Sequence, residues 1–158
     1  MSKNLINIGI NAKKAAKIKV DSKSKNKVLA KFLKLISKNK KIILKENNKD
    51  IKFSIKNNLS ENLINRLTLN QKKLEEIQAS INKIIKLNDP INKNLGKWKR
   101  PNGLIINRVS IPIGVIGIIY ESRPNVTSDV SSLCFKSGNA TILRGGSESY
   151  NSNRVLVN

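Results

Sequence analysis

Histidine is absent from the 158-residue chain, and cysteine occurs once, at Cys134. Without an imidazole, acid–base chemistry must rely on carboxylates, Lys, Tyr, Ser, Cys or backbone groups. A single cysteine excludes an intrachain disulfide and a cysteine-rich zinc site, so we expect no metal and a reducing, cytoplasmic environment. The longest apolar run, residues 109–120, is interrupted by Pro112 and two glycines and is shorter than the roughly 20 residues of a membrane-spanning helix. The N-terminus also lacks the continuous apolar stretch of a secretory signal.

Acidic residues are scarce: 10 stand against 31 basic ones, which gives a net charge of +21. Residues 1–100 hold 26 of the basic and 7 of the acidic residues, a net +19. One interpretation is a basic helical protein that binds nucleic acid or another partner. However, only six of the basic residues are Arg, the side chain best suited to bidentate contacts with phosphates and bases. The lysines lie mostly opposite the apolar stripes, so we favour a solvated surface with no specific nucleic-acid partner and no membrane contact.

Glycine and proline are rare before Pro90, where only Gly9 occurs, and this change in composition divides the chain. Upstream, apolar residues recur every three or four positions, which is typical of amphipathic helices. We expect Ser24 to cap the second of these helices and Asp89-Pro90 to end the last. The pattern predicts a helical segment over residues 1–90, with a first helix from Leu5 that Asp21-Ser22 ends and further helices in residues 26–36, 39–56, 60–67 and 70–88.

The apolar period changes after residue 90. Asn102-Gly103 between two apolar-bearing runs predicts a β-hairpin, which we assign to residues 91–113. Residues 115–120 form a β-branched run typical of a parallel strand that is buried on both faces. A helix over residues 125–136 should end at Gly138 as a left-handed C-cap. A strand over residues 140–143, a glycine turn and a helix from Ser149 complete a right-handed βαβ unit.

The predicted parallel sheet is incomplete, because such sheets usually have five or six strands with both faces covered. We therefore expect the chain to be the N-terminal fragment of a longer protein. The fold class predicted is α/β: N-terminal helices, a β-hairpin and then the start of a Rossmann-like parallel domain over residues 114–158.

Four motifs carry a resemblance to a known family. In their order and spacing they resemble the γ-glutamyl phosphate reductase family of the aldehyde dehydrogenase superfamily. The motifs are Pro112-x-Gly114-Val115-Ile116-Gly117, Tyr120-Glu121-x-Arg123-Pro124-Asn125-Val126-Thr127, Ser137-Gly138-Asn139-Ala140 and Ile142-Leu143-Arg144-Gly145-Gly146.

The resemblance implies an enzyme that reduces L-glutamyl 5-phosphate to L-glutamate 5-semialdehyde with NADPH in proline biosynthesis. It also implies a homo-oligomer in which the ribbon of residues 91–113 contributes to subunit contacts, and an NADP-binding domain that begins at residue 114. The family's nucleophilic cysteine belongs to a later domain, so we expect the fragment alone to be inactive. Cys134 lies on an apolar helix stripe, where a small buried thiol is the ordinary interpretation.

The predicted cofactor site lies at the carboxyl ends of the two parallel strands, where open α/β sheets bind ligands. A glycine turn there can bring backbone N–H groups to a phosphate, or can be purely structural. Arg144 can pair with an adenosine 2′-phosphate or be a solvated strand-end charge. Glu148 can accept bonds from the ribose or stabilise the first turn of a helix. The proposed cofactor residues are Ile119, Tyr120, Glu121, Arg144, Gly145, Gly146, Ser147 and Glu148.

Two further residues are substrate candidates. The resemblance implies that Asn125 offers its amide to an oxyanion during acyl transfer, whereas the local sequence alone is equally typical of a helix cap. The planar guanidinium of Arg123 can bind the phosphate or carboxylate of the substrate, or can hold its own loop in place.

Overall fold

The computed structural model describes residues 3–157, with side chains from residue 4 onward. The chain forms a helix-rich α/β fold, as the sequence predicts. None of the helices within this range has the length and apolarity required to cross a membrane. The helices are α1 (Lys3–Ala16), α2 (Ser22–Lys38), α3 (Lys40–Lys56), α4 (Glu61–Leu67), α5 (Gln71–Lys86), α6 (Pro124–Lys136) and α7 (Tyr150–Val157). The strands are β1 (Asn94–Lys99), β2 (Ile105–Val109), β3 (Val115–Ile119) and β4 (Ala140–Arg144).

All five predicted N-terminal helices are present, but the predicted cap of α2 is wrong. The helix begins at Ser22, so Asp21 rather than Ser24 occupies the N-cap position. Asp21 Oδ1 accepts a hydrogen bond from Ser24 N at 3.0 Å, and Ser24 Oγ donates to Asp21 Oδ2 at 2.6 Å. An aspartate at the N-cap thereby satisfies one of the free amides of the first turn.

The predicted hairpin is confirmed: β1 and β2 pair antiparallel on either side of Pro101-Asn102-Gly103. Gly103 has φ +87°, which favours glycine at this position of the turn. Both faces of the ribbon are open. Its exposed apolar side chains are Leu95, Trp98, Leu104, Ile105, Ile106, Val109 and Ile111.

The predicted βαβ unit is also confirmed. β3 and β4 pair in parallel, from Val115 opposite Ala140 to Ile119 opposite Arg144, and α6 connects them. Gly138 ends α6 with φ +72°, the left-handed conformation predicted for it. The prediction that β3 is buried on both faces is wrong, because Ile119 is 87% exposed. Within residues 3–157 this sheet has two strands, and the side chains of Val115 and Ile119 on β3 are exposed.

One hydrophobic core joins the helical segment to the βαβ unit. α5 packs between α2 and α6, and α7 packs against α3. Leu156 of α7 belongs to the same buried cluster as residues of α2, α3 and α5. The division into domains at residues 90 and 113 stays a prediction. The buried members of the cluster are Leu29, Ile36, Ile43, Leu69, Leu74, Ile77, Ile81, Ile84 and Leu156.

A buried carboxylate on α3 holds the start of α7. Asp50 is 2% exposed and accepts four hydrogen bonds of 2.6–3.1 Å. The donors are the backbone N–H groups of Asn151 and Ser152, the amide of Asn151 and the hydroxyl of Ser152. Asn47, one turn earlier, donates to Leu67 O and to Ser152 Oγ, both at 2.9 Å. α7 therefore receives its N-terminal capping group from another helix.

Two lysines depart from the expected solvated surface. Lys25 is 3% exposed and pairs with Asp89 at 2.9 Å, while Lys136 is 2% exposed and donates to Asn26 Oδ1 and Ile85 O. Each buried ammonium therefore has oxygen partners, which is the condition under which a buried charge is tolerated.

The Lys25–Asp89 pair leads to a pH-dependent prediction. Burial pushes the pKa of Asp89 upward, but the hydrogen bonds from Lys25 and Ile91 N, together with the charges of Lys25 and Lys136, hold it below its ordinary value. A carboxyl whose pKa is lower in the folded state stabilises the fold above its unfolded pKa, about 4, and loses that contribution as pH falls through the folded pKa.

We expect Asp89→Asn to lower the free energy of unfolding by about 2 kcal/mol at pH 7, and by less at pH 3, because pH 3 lies below the unfolded pKa and the contribution of the carboxylate is already falling there. Urea denaturation at both pH values measures the difference. Glu75→Gln removes an exposed carboxylate of the neighbouring helix α5 and should change stability by less than about 0.5 kcal/mol. An Asp89→Asn effect of equal size at both pH values would contradict the assignment.

Candidate cofactor and substrate clefts

The first candidate site lies at the carboxyl end of β4. After Arg144, the chain turns through Gly145 and Gly146 into a short 3₁₀ turn, Ser147–Ser149, which leads into α7. A cleft of about 570 Å³ opens beside this turn, within the range typical of small-molecule sites. It brings together five of the predicted cofactor residues. We call it the glycine-turn cleft; it is lined by Tyr120, Leu143, Arg144, Gly145, Gly146, Ser147, Tyr150, Asn153, Arg154 and Val157.

Both glycines of the turn are required by the packing of the chain itself. A Cβ on Gly145 would overlap the Asn153 amide and lie 3.1 Å from the Tyr120 ring. A Cβ on Gly146 would overlap Ser122 Oγ and lie 2.7 Å from a carboxylate oxygen of Glu148. The structural interpretation of the Gly-Gly turn therefore applies to both positions. It leaves the cleft side of the turn available to a ligand.

A chain of hydrogen bonds fixes Tyr120 next to the turn. Thr127 Oγ1 donates to Asn153 Oδ1 at 2.8 Å, so Tyr120 must donate its own hydroxyl proton to Thr127 Oγ1, at 2.7 Å. Asn153 Nδ2 then donates to Ser149 Oγ at 2.8 Å. Thr127 is 1% exposed, and the network connects α6 to α7 beneath the cleft. Thr127 lies in a motif that carries the resemblance, but the motif alone does not predict a role for it.

Glu148 connects the glycine turn to the loop after β3. Its Oε2 accepts a hydrogen bond from Ser122 Oγ at 2.7 Å, and its Oε1 accepts one from Ser147 Oγ at 3.2 Å. The hydrogen bond from Ser122 is the main reason that the pKa of Glu148 lies below its ordinary value. The ionised carboxylate retains lone pairs that can accept hydrogen bonds from a hydroxyl-bearing ligand.

Arg144 lies at the rim of the glycine-turn cleft, and three other predicted cofactor residues lie outside its lining. Arg144 is exposed, and no carboxylate among residues 4–157 lies within ion-pair distance of it. Ile119, Glu121 and Glu148 do not line the glycine-turn cleft. Ile119 points to solvent, whereas Glu121 pairs with Arg66 and Arg123, two residues that line a second cleft.

This second cleft, which we call the basic cleft, has a volume of about 580 Å³ and contains both predicted substrate residues. Arg66 Nη1 donates to Glu121 Oε2 at 2.9 Å, and Arg123 Nε lies 3.8 Å from the same oxygen. Arg66 and Lys73 were not identified from the sequence, since they belong to the helical segment. The lining residues are Asn62, Asn65, Arg66, Lys73, Arg123 and Asn125.

Asn125 does not cap α6. Arg123 occupies the N-cap position, without a side-chain cap, and Pro124 begins the helix. Asn125 instead lies between the basic cleft and a smaller cavity that it shares with Asp129. Burial raises the pKa of Asp129, and the neighbouring Ser80 and Asn125 only partly offset this effect. Asn125 is thus placed at the entrance of α6, where its amide borders both spaces.

Cys134 lies apart from both clefts. It is buried on α6, and burial raises the pKa of its thiol, which disfavours the nucleophilic thiolate. Within the described part of the chain, no group of three or more carboxylate or cysteine side chains is arranged to hold a metal ion.

The architecture first defines a class: an α/β chain whose parallel βαβ unit carries a ligand-sized cleft at the carboxyl edge of its strands. No protein-family model matches the chain. The chain is 46% identical over 155 residues to a γ-glutamyl phosphate reductase of Carboxydothermus hydrogenoformans. The aligned residues make up 97% of this chain and 37% of the relative. It is therefore homologous to γ-glutamyl phosphate reductases over nearly its whole length, which confirms the predicted resemblance.

Solved structures agree with this relationship. The N-terminal part of the crystal structure of γ-glutamyl phosphate reductase from Thermotoga maritima matches with a TM-score of 0.94 and 38% identity, over 97% of this chain and 37% of that chain. The enzyme of the same name from Saccharomyces cerevisiae matches with a TM-score of 0.92 and 33% identity, over 99% of this chain and 40% of that chain. The chain spans slightly more than a third of the length of the relatives that it matches.

Proposed function

We propose that the chain is the N-terminal part of an NADPH-dependent reductase that converts L-glutamyl 5-phosphate to L-glutamate 5-semialdehyde in the cytoplasmic biosynthesis of proline. The observation that carries this proposal is the match over nearly the whole chain to proteins named γ-glutamyl phosphate reductase, with both candidate clefts inside the matched region. No comparison supports the alternative of a basic nucleic-acid-binding protein.

The glycine-turn cleft fits the adenosine end of NADPH. Arg144 at its rim is a guanidinium with no carboxylate partner among the described residues, which suits a 2′-phosphate. Gly145, Gly146 and Ser147 line the cleft, and Glu148, which follows them outside the lining, can accept hydrogen bonds from ribose hydroxyls. NADPH, when bound, supplies the hydride. The residues of this chain bind and orient the cofactor.

The basic cleft fits the substrate. Arg123 offers a fixed fork of donors to a phosphate or carboxylate, and Asn125 offers an amide to an oxyanion at the start of α6. As the resemblance implies, we expect the nucleophilic cysteine to belong to a part of the enzyme beyond this chain. The buried, less acidic thiol of Cys134 does not take that role. We also propose that the exposed apolar side chains of the β1–β2 hairpin pack against another subunit in a homo-oligomer.

A chimeric enzyme tests the proposal. Joining residues 1–158 to the remaining C-terminal part of the C. hydrogenoformans relative should give an enzyme that reduces NADP⁺ when supplied with glutamate 5-semialdehyde and phosphate, the reaction in reverse. The 158-residue chain alone should be inactive. Absorbance at 340 nm measures both. A folded but inactive chimera would overturn the proposed function.

A second experiment with the same chimera tests the proposed contact between Arg144 and the cofactor. Arg144→Gln should raise the KM for NADP⁺ by at least about tenfold and leave the KM for NAD⁺ nearly unchanged, since only the former carries the 2′-phosphate. Arg100→Gln, an equal loss of charge in the hairpin turn, should leave both values unchanged. Equal effects of Arg144→Gln on the two cofactors would refute the 2′-phosphate contact.

A further inference from the structure

The basic cleft is lined by several cations and by no carboxylate. Arg66, Lys73 and Arg123 contribute three cations, and three asparagine amides complete the lining. Glu121, which lies outside this lining, is the acidic partner of Arg66 and Arg123. Glu121 Oε2 is shared by the two guanidiniums, at 2.9 Å from Arg66 Nη1 and 3.8 Å from Arg123 Nε.

Lys73 is positioned by neutral groups. Its ammonium donates to Asn65 O at 2.7 Å and to Thr68 O at 2.6 Å, at the C-terminal end of α4. Carbonyl oxygens hold the ammonium in place without cancelling its full charge. Glu76 and Asp129 border the smaller cavity on the other side of Lys73 and do not line the basic cleft.

Glu121 forms a weak ion pair with the guanidiniums, which another anion can replace. Its side chain is 63% exposed and Arg66 is 46% exposed, so their ion pair is screened by water and contributes little to stability. An incoming oxyanion can therefore displace Glu121 at small cost. It would gain the bidentate fork of Arg66 together with Arg123, Lys73 and the asparagine amides.

We propose that the basic cleft binds the anionic end of the substrate, a carboxylate or phosphate group, through Arg66 and Lys73 of the helical segment together with Arg123, and that Glu121 competes with this group for the same guanidiniums. The identity of the substrate rests on the proposed function, whereas the oxyanion chemistry rests on the cleft alone. The site spans two segments of the chain, because α4 and α5 supply two of its three cations.

Direct binding is the first test. Titrating the ¹⁵N-labelled chain with inorganic phosphate and, separately, with L-glutamate should shift the side-chain amide signals of Asn65 and Asn125. Arg66→Gln should weaken binding at least about tenfold, as expected for the loss of a charged bidentate donor. Glu121→Gln should tighten binding several-fold because it removes the competing carboxylate. Lys34→Gln, the same loss of charge on the exposed face of α2, should change affinity less than about twofold.

Kinetics of the chimera are the second test and identify the anionic group. If Arg66→Gln raises the KM for phosphate alone, the cleft holds the phosphate; if it raises the KM for the semialdehyde alone, the cleft holds the substrate carboxylate. Both results support the proposal. Unchanged KM values in Arg66→Gln and Glu121→Gln, or effects equal to those of Lys34→Gln, would overturn it.

The two proposals fail separately. An active chimera whose KM values do not respond to Arg66→Gln refutes the anion site and leaves the reductase function standing. A folded, inactive chimera whose isolated 158-residue chain still binds phosphate or glutamate through Arg66 refutes the function and leaves the anion site standing. The opposite signs expected for Arg66→Gln and Glu121→Gln distinguish a ligand site from a merely structural ion pair, whose loss would have the same effect from either side.

Discussion

Replacing Asp50 by alanine is expected to lower the free energy of unfolding by about 5 kcal/mol, enough to abolish the folded state of a marginally stable domain. The carboxylate is 2% exposed and accepts four hydrogen bonds from Asn151 and Ser152. Its removal leaves two backbone N–H groups and two side-chain donors unpaired at the start of α7. Urea denaturation followed by far-ultraviolet circular dichroism measures the loss.

Two comparisons isolate the cause of this effect. Asn48→Ala, on the exposed side of the same helix, should change the free energy of unfolding by less than about 0.5 kcal/mol. Asp50→Asn should be intermediate, because its carbonyl keeps one acceptor while its amide nitrogen faces donors. A loss below about 1 kcal/mol in Asp50→Ala would show that α7 is held by its apolar contacts instead.

Gly146→Ala should destabilise the chain by about 3 kcal/mol. The added Cβ would overlap Ser122 Oγ, lie 2.7 Å from Glu148 Oε2 and lie 3.3 Å from Ser122 N. The Ser122 hydroxyl and the Glu148 carboxylate must rotate away to relieve the overlap, and the contact with Ser122 N stays tight because that atom belongs to the backbone. Overpacking of this kind typically costs about 1–3 kcal/mol, and the Ser122–Glu148 hydrogen bond would be lost as well. Thermal or urea unfolding measures the change.

Gly117→Ala is the matched control for Gly146→Ala. Gly117 lies in β3, no atom lies within 4 Å of the position of its Cβ, and its φ lies outside the left-handed region. The substitution should therefore be neutral or slightly stabilising. In the Gly146→Ala background, Ser122→Ala should restore part of the lost stability by removing the overlapping hydroxyl. Equal stabilities of the two glycine variants would show that the turn tolerates a side chain.

Local sequence signals were sufficient for most secondary structure. Apolar spacing located the five N-terminal helices, and Asn102-Gly103 located the hairpin, because both signals act over a few residues. The burial of β3 was mispredicted, since β-branched composition indicates strand formation and not the number of covering layers. Lys25 and Lys136 were also missed, because their oxygen partners lie 51–110 residues away in sequence.

The candidate site was predictable to a similar extent. Parallel strands end at the same edge of a sheet, so Tyr120 and Arg144 were expected to lie together, and the structure places them in one cleft. Arg66 and Lys73 could not be recognised, because nothing in an amphipathic helix distinguishes a cation that faces a cleft from one that faces water. Only the tertiary packing of α4 and α5 beside the loop after β3 reveals their contribution.

The capping of α7 by Asp50 also bears on the order of events during synthesis of the chain. Asn151 and Ser152 follow Asp50 by 101 and 102 residues. At a synthesis rate of about 5–20 residues per second, α3 leaves the ribosome roughly 5–20 s before the groups that satisfy its carboxylate. During that interval water supplies the hydrogen bonds of this carboxylate, so we expect the burial of Asp50 to follow the synthesis of α7.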